Sequence, residues 1–284
     1  MSMSVGMKKI PILMYHSISH TTNTRFRPFT VSPELFMEQM SYLDAHGYTP
    51  ITVTHFVQSH ANNVDALPER PVILTFDDGF ADFLTHAIPI LQKYNFTATL
   101  YVSTAFLDGT SLWLSREGES KRRTLTRDEL RQIDTYGIEC GGHSHHHPQL
   151  DMLPPHVAQE EIVTCKDSLE QTLGHQVYSF AYPFGYYTSQ IRQCVYAAGY
   201  TSACAVRHMM SSEQTDPFAL ARLWVKPTTT PDVFGQLLEG VGQSALQTFY
   251  LQVRTPVWRA IRRCSSFVTP YKWVEGVTVR GYNM

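Results

Sequence analysis

Short apolar runs alternate along the chain with longer stretches in which apolar residues return every three or four positions. The runs at residues 10–15, 72–76, 98–102, 138–140, 179–182, 202–206 and 220–225 are predicted strands, about seven in all. Their nearly unbroken apolar character suits strands covered on both faces, as in a parallel sheet. The stretches between them are predicted helices with readable ends. Ser32 caps a helix that has Pro33 in its first turn and stops at Gly47, and Thr126 with Glu129 forms a capping box ahead of a stop at Gly137. Two further helices, 156–173 and 189–198, end at Gly174 and Gly199. Repeated βα units, not a sandwich or a helical bundle, follow from this order. Loops are expected at 21–28, 58–71 and 107–123.

The 284 residues accommodate one α/β domain with a smaller appendage. A net charge of −2 lacks the basic excess of a nucleic-acid backbone reader. The five cysteines are scattered and form no C-x2-C pair, so reduced, buried thiols are expected. Lys8 and Lys9 precede an apolar run too short for a signal peptide, and no stretch approaches the roughly 18 apolar residues of a spanning helix. A cytoplasmic location is the expectation. The tail changes the charge picture: from Ala245 onward six basic residues face one acid, a net of +5, leaving −7 for the rest. There Arg254, Arg259, Arg262 and Arg263 alternate with Val253, Val257, Trp258 and Ile261. Such a helical, basic extension over 236–284 fits either a helix packed on the domain or a peripheral contact with an anionic membrane.

Candidate chemistry sits at the ends of predicted strands. Thr75-Phe76-Asp77-Asp78-Gly79 places two adjacent carboxylates where α/β folds build active sites, although Asp and Gly also make plain surface turns. Gly141-Gly142-His143-Ser144-His145-His146-His147-Pro148 has the H-x3-H spacing that lets His143 and His147 face one metal ion, or else is a solvated loop. Asp78, His143 and His147 together make two imidazoles and a carboxylate, a set that leaves coordination positions open, as catalysis needs. Asp77 is then a free carboxylate beside the metal, suited to take a proton from water. Phe180-Ala181-Tyr182-Pro183-Phe184-Gly185 is a rigid turn that either aims a backbone N–H at an oxyanion over an aromatic floor or simply buries its rings. His16, after the first strand, is either structural or able to protonate a departing amine.

Through Thr75–Gly79, His143–Pro148 and Tyr182–Gly185, the sequence over about residues 8–235 resembles the NodB-homology polysaccharide deacetylases. The resemblance implies a distorted (β/α)7-type barrel and a divalent metal, zinc first, with nickel, cobalt or iron in some members. It implies Asp77 as base, Asp78, His143 and His147 as metal ligands, and Tyr182, Pro183 and Phe184 at the substrate and oxyanion. The acid histidine is not found near the C-terminus. His16 matches instead the position used in a permuted branch that includes poly-N-acetylglucosamine deacetylases. The arginine usual in the third motif is replaced by Ala181, and Arg222 is the candidate to supply that guanidinium. The implied activity is removal of N-acetyl groups from an amino-sugar glycan or precursor. A deformylase, a non-sugar amide hydrolase, a non-catalytic glycan-binding protein and a two-histidine, one-carboxylate iron oxygenase are the competing readings.

Overall fold

A computed structural model of the chain describes residues 9–62, 67–241, 271–274 and 277–280. Its strands are β1 (Lys9–Ile10), β2 (Ile12–Tyr15), β3 (Ser17–Ile18), β4 (Thr30–Val31), β5 (Thr49–Ile51), β6 (Pro71–Phe76), β7 (Thr99–Val102), β8 (Glu139–Gly142), β9 (Ser179–Ala181), β10 (Ser202–Cys204), β11 (Ser211–Ser212), β12 (Leu223–Trp224), β13 (Tyr271–Val274) and β14 (Val277–Arg280). Its α-helices are α1 (Pro33–Ala45), α2 (Val53–Asn62), α3 (Ile88–Lys93), α4 (Arg127–Thr135), α5 (Pro155–Leu173), α6 (Ser189–Ala197) and α7 (Pro231–Leu238).

One parallel sheet runs in the order β10-β9-β8-β7-β6-β2-β12, with β5 also paired to β6. It curls into a distorted (β/α) barrel. Closure comes from the segment around β12: Leu223 and Trp224 pair with Leu13 and Met14, while Leu220 bridges Cys204 at the opposite edge. The bonds of that seam run from the Ala205 N–H to the Leu220 carbonyl (2.7 Å) and from the Leu220 N–H to the Ala203 carbonyl (3.0 Å).

Period-two alternation sorts the strand residues into two cores. Ile12, Ile73, Tyr101, Ala181, Cys204 and Leu220 meet inside the barrel. Leu13, Leu74, Phe76, Leu100, Phe180 and Ala203 point outward into the layer covered by the helices. Both faces are buried, which is why the strands read as continuous apolar runs. Helix ends match the sequence. The Leu35 N–H donates to Ser32 Oγ at 3.2 Å, Thr126 and Glu129 form a complete capping box, and α5 stops at Gly174 in the left-handed region.

Three expectations shift. β5 joins the sheet although Pro50, which has no N–H, hides it from a pattern search. α2 extends to Asn62 within the segment expected to be a loop from residue 58, because Val53, Phe56 and Val57 give it an apolar face. A 3-10 segment, Leu112–Glu117, lies inside the expected loop 107–123. The arginine-rich stretch from Arg254 to Arg263 lies outside the described residues; β13 and β14 pair antiparallel beyond it. Among the described residues no helix is long and apolar enough to cross a membrane.

Candidate metal centre

The strands end on one rim of the barrel, and each sequence-predicted motif begins where a strand stops. Ile73, Thr75 and Asp77 alternate along and just past β6, so Asp77 follows the inward-facing row. Its N–H donates to the Tyr15 carbonyl at 3.0 Å, and its carboxylate accepts a fork of bonds from Arg222, Nη1 to Oδ1 at 2.6 Å and Nη2 to Oδ2 at 2.8 Å. Arg222 is fully buried and also donates to Thr75 Oγ1 (3.2 Å) and the Ala205 carbonyl (3.4 Å). Burial by itself pushes the Asp77 carboxyl up; the Arg222 charge, with His143 behind it, outweighs this and holds it below the ordinary carboxylate range.

Asp78 turns away from Asp77 because its backbone is left-handed, φ 79°. Its Oδ1 lies 3.1 Å from His147 Nε2 and 3.5 Å from His143 Nε2. The ligand atoms of Asp78, His143 and His147 all fall within 4.8 Å of one another, and all three residues are buried or nearly so. Burial would raise the Asp78 carboxyl too, but the facing imidazoles, His147 foremost, carry it well below the carboxylate range. Gly142, directly before His143, has no room for a side chain: a Cβ there would collide with Tyr200 and Phe180.

The residues fit a divalent metal ion. His143 Nδ1 lies 2.8 Å from the Ala181 carbonyl, which can only accept, so a neutral His143 carries its proton on Nδ1 and offers Nε2 as a ligand atom beside the Asp78 carboxylate. A carboxylate oxygen and a ring nitrogen facing each other out of water require a cation between them, either a proton or a metal ion. Nitrogen–nitrogen–oxygen donation with open positions is the set used by catalytic zinc and its neighbours in the first transition row.

The remaining expected residues divide. His16 follows β2, its ring edge-on to Phe29 at 5.0 Å, within electrostatic reach of Asp78, Asp77, Arg222 and His143. Burial lowers its pKa, and its Nδ1 has no hydrogen-bond partner among the described residues. Phe184, with φ 59°, sets its half-exposed ring 4.8 Å from the His147 ring. Pro183 is buried in the same turn. The Tyr182 side chain is not brought to the site. Its ring stacks on Tyr187 at 4.6 Å and its hydroxyl donates to the Phe218 carbonyl at 3.1 Å, so it anchors the turn from the core.

Sequence reasoning passed over several neighbours. Trp113 lies 5.5 Å from the His147 ring and 4.4 Å from Phe106. Phe29 and Trp224 stack at 5.0 Å beside His16. Arg122 binds Asp82 and Ser17, each at 2.9 Å, between the rings of Phe26 and Phe80, and so ties the loop after His16 to the loop of Trp113. A lone tryptophan in a polar stretch was the available signal for Trp113. Backbone strain marks the place as well: Asp78, Ser144, His147 and Phe184 all have positive φ, each at a cost of about 1–3 kcal/mol.

Comparison with known proteins agrees with this geometry. Residues 65–203 match the sequence model of the polysaccharide deacetylase family. YxkH of Bacillus subtilis (strain 168), named for the polysaccharide deacetylases, is 29% identical over 234 residues, 82% of this chain and 77% of that protein. The poly-beta-1,6-N-acetyl-D-glucosamine N-deacetylase of Escherichia coli (strain K12) is 32% identical over 87 residues, which is 30% of this chain and only 12% of that protein. The solved structure of the Streptococcus pyogenes deacetylase PplD in complex with acetate superposes with a TM-score of 0.71 at 28% identity, covering 82% of this chain and 99% of that one. The curled parallel sheet, the motifs at its rim and these likenesses together support the NodB-homology family of polysaccharide deacetylases, whose domain model spans residues 65–203.

Proposed function

We propose that the protein is a metal-dependent hydrolase that removes N-acetyl groups from an amino-sugar glycan or its precursor, residues 8–235 forming the catalytic domain. The observation that carries this reading is the pairing of two different carboxylates: Asp78 faces two imidazoles while its neighbour Asp77 is held anionic by Arg222. Asp78, His143 and His147 would hold the ion, zinc in the first instance and nickel, cobalt or iron as alternatives. When bound, a divalent ion supplies Lewis acidity toward an amide carbonyl and toward water.

The chain's own residues do the rest. Asp77, deprotonated and oriented by the guanidinium fork, accepts the proton of the attacking water. The turn at Phe184 serves the oxyanion through its backbone, and the rings of Phe184 and Trp113 flank His147 and limit access of bulk water. His16, beside Phe29, donates a proton to the leaving nitrogen as the C–N bond breaks, and the proton that Asp77 took from water replaces it, so that both groups return to their starting states. Water adds across that bond, giving acetate and a free amine. The E. coli relative, a poly-beta-1,6-N-acetyl-D-glucosamine N-deacetylase, supports an N-acetylated glucosamine polymer as the substrate class, and the acetate in the PplD complex supports an acetyl product.

The test is acetate release from N-acetylglucosamine oligomers and from nucleotide- or lipid-linked N-acetyl sugars, with metal-reconstituted protein beside Asp77→Asn. Release is expected from the wild type and should vanish in Asp77→Asn while its metal content persists. Metal-loaded protein that frees no acetate from any of these substrates would turn the reading toward another acyl group or a non-sugar amide.

A further inference from the structure

The backbone around His147 is left-handed at two residues other than glycine, and a carboxylate outside the candidate ligand set bonds to the loop that carries it. Glu161 lies in α5 between core residues, with Ala158, Ile162 and Cys165 fully buried around it, and is itself only 4% exposed. A helix position so enclosed ordinarily carries an aliphatic side chain, and a buried carboxylate is tolerated only when its oxygens are satisfied. Both oxygens are directed to one residue of the histidine loop. Oε2 accepts the His146 backbone N–H at 2.7 Å, and Oε1 lies 2.8 Å from His146 Nδ1, which must therefore carry a proton. The Glu161 carbonyl accepts the His145 N–H at 3.1 Å.

The opposite flank of the loop is gripped as well. The Ala105 N–H donates to the His145 carbonyl (2.9 Å), the Thr104 N–H to the Ser144 carbonyl (3.4 Å), and Ser103 Oγ to the His143 carbonyl (3.0 Å). Between these two walls the chain adopts φ 64° at Ser144 and φ 56° at His147, and the His147 N–H closes onto Ser144 Oγ at 3.0 Å. Left-handed backbone at residues other than glycine persists only where its surroundings over-determine it. His146 is the residue between those constraints and His147, and Glu161 fixes both its backbone and its ring.

We infer that Glu161 is a positioning residue for metal binding: through His146 it holds the left-handed turn that keeps His147 Nε2 opposite the Asp78 carboxylate. The inference rests on the reading of His147 as a ligand. Side chains one step behind the ligands shift metal affinity by about 10–100-fold when removed. Glu161→Gln is nearly isosteric but sets an amide NH2 against one of the two donors of His146, so one arm of the grip is lost. His146→Gln removes the ring arm from the outer side and leaves α5 unchanged.

The experiment titrates Co2+ into metal-free wild type, Glu161→Gln, His146→Gln and the double variant, with His147→Ala as control. It follows both affinity and the visible absorption of the bound cobalt, and records the melting temperature of each metal-free protein. Glu161→Gln is expected to bind Co2+ about 10–100-fold more weakly with an altered spectrum, His146→Gln to shift both in the same sense, and the double variant to be no worse than Glu161→Gln. A melting temperature that falls while affinity and spectrum stay at wild type would reduce Glu161 to a packing residue and overturn the proposal. His147→Ala binding Co2+ as the wild type does would overturn the ligand reading and this proposal with it. Wild-type binding by Glu161→Gln beside a defective His147→Ala would overturn this proposal alone.

Discussion

The barrel encloses carboxylates at both of its ends, half-buried where strands begin and buried where they stop, and treats them differently. At the end where strands begin, Glu139 opens β8 between Thr99 of β7 and Ser179 of β9. Its oxygens accept from Thr54 Oγ1 (2.6 Å), the Thr54 N–H (3.1 Å), Thr99 Oγ1 (2.9 Å) and Ser179 Oγ. Every one of these donors is neutral, and none of these residues has a positive φ. At the end where strands stop, Asp77 is met by a buried guanidinium and Asp78 by two imidazoles, its Oδ1 without a hydrogen-bond partner among the described residues, on a backbone forced into the left-handed region. A satisfied carboxylate on relaxed backbone ties strands together. Under-satisfied donors on strained backbone mark a place prepared for something the chain does not itself provide.

The contrast breaks most readily at Arg222. Arg222→Met strands a buried Asp77 carboxylate and is expected to cost about 3–5 kcal/mol of stability. Losing the guanidinium charge also lets burial push the Asp77 carboxyl up, so activity at neutral pH falls with it. Urea unfolding with parallel acetate assays checks both, and a variant as stable as the wild type would mean that the ion pair does not organise this end. Metal removal comes next. With ion held near 100 times its dissociation constant, chelation should remove about 2.7 kcal/mol, seen as a lower melting temperature. Hydrogen exchange should rise at residues 143–147 and stay unchanged at Thr99 and in α2; a uniform rise would show that the two ends are not independent.

The same contrast explains what could be read from sequence. Strands β6, β7, β9 and β10 were legible because burial on both faces makes an apolar run, and the ends of α1, α4 and α5 because Ser32, Thr126 and Gly174 act on their immediate neighbours. Asp77, Asp78, His143 and His147 were legible because the chemistry is concentrated in two short segments. Arg222 came only from resemblance, since its partner is 145 residues away, and His16 stayed open between a structural and a proton-donating reading until resemblance favoured the second, since its partner is undefined. Glu161 could not be found at all. On a helix it looks like any surface acid, and only the fold turns it toward a loop 15 residues earlier. β5 was hidden by Pro50, and Trp113 by a 3-10 segment whose period resembles neither helix nor strand.

At the opposite end the expected effect is smaller. Glu139→Gln retains one acceptor and most of its packing, so a loss of about 1 kcal/mol is expected with kcat unchanged. A large fall in kcat with little change in stability would show that this end also serves the reaction, and the distinction between the two networks would fail.

The smallest effect concerns His16, whose burial without a partner for Nδ1 belongs to the strained end. Burial lowers its pKa from the ordinary 6.5, the nearby Asp78 and Asp77 notwithstanding. In the window between the lowered value and 6.5 the unfolded chain binds a proton that the folded chain does not, so stability rises with pH across the window and is complete above it. His16→Gln removes this contribution. In metal-free protein, the gain in unfolding free energy on going from the acid to the alkaline side of 6.5 should be smaller for His16→Gln than for the wild type, and should be unaltered by Glu139→Gln. Equal gains for wild type and His16→Gln would mean that His16 is hydrated and free to protonate in the folded state. It would then be no more constrained than the groups at the opposite end, and the difference between the two ends would rest on the metal ligands and Arg222 alone.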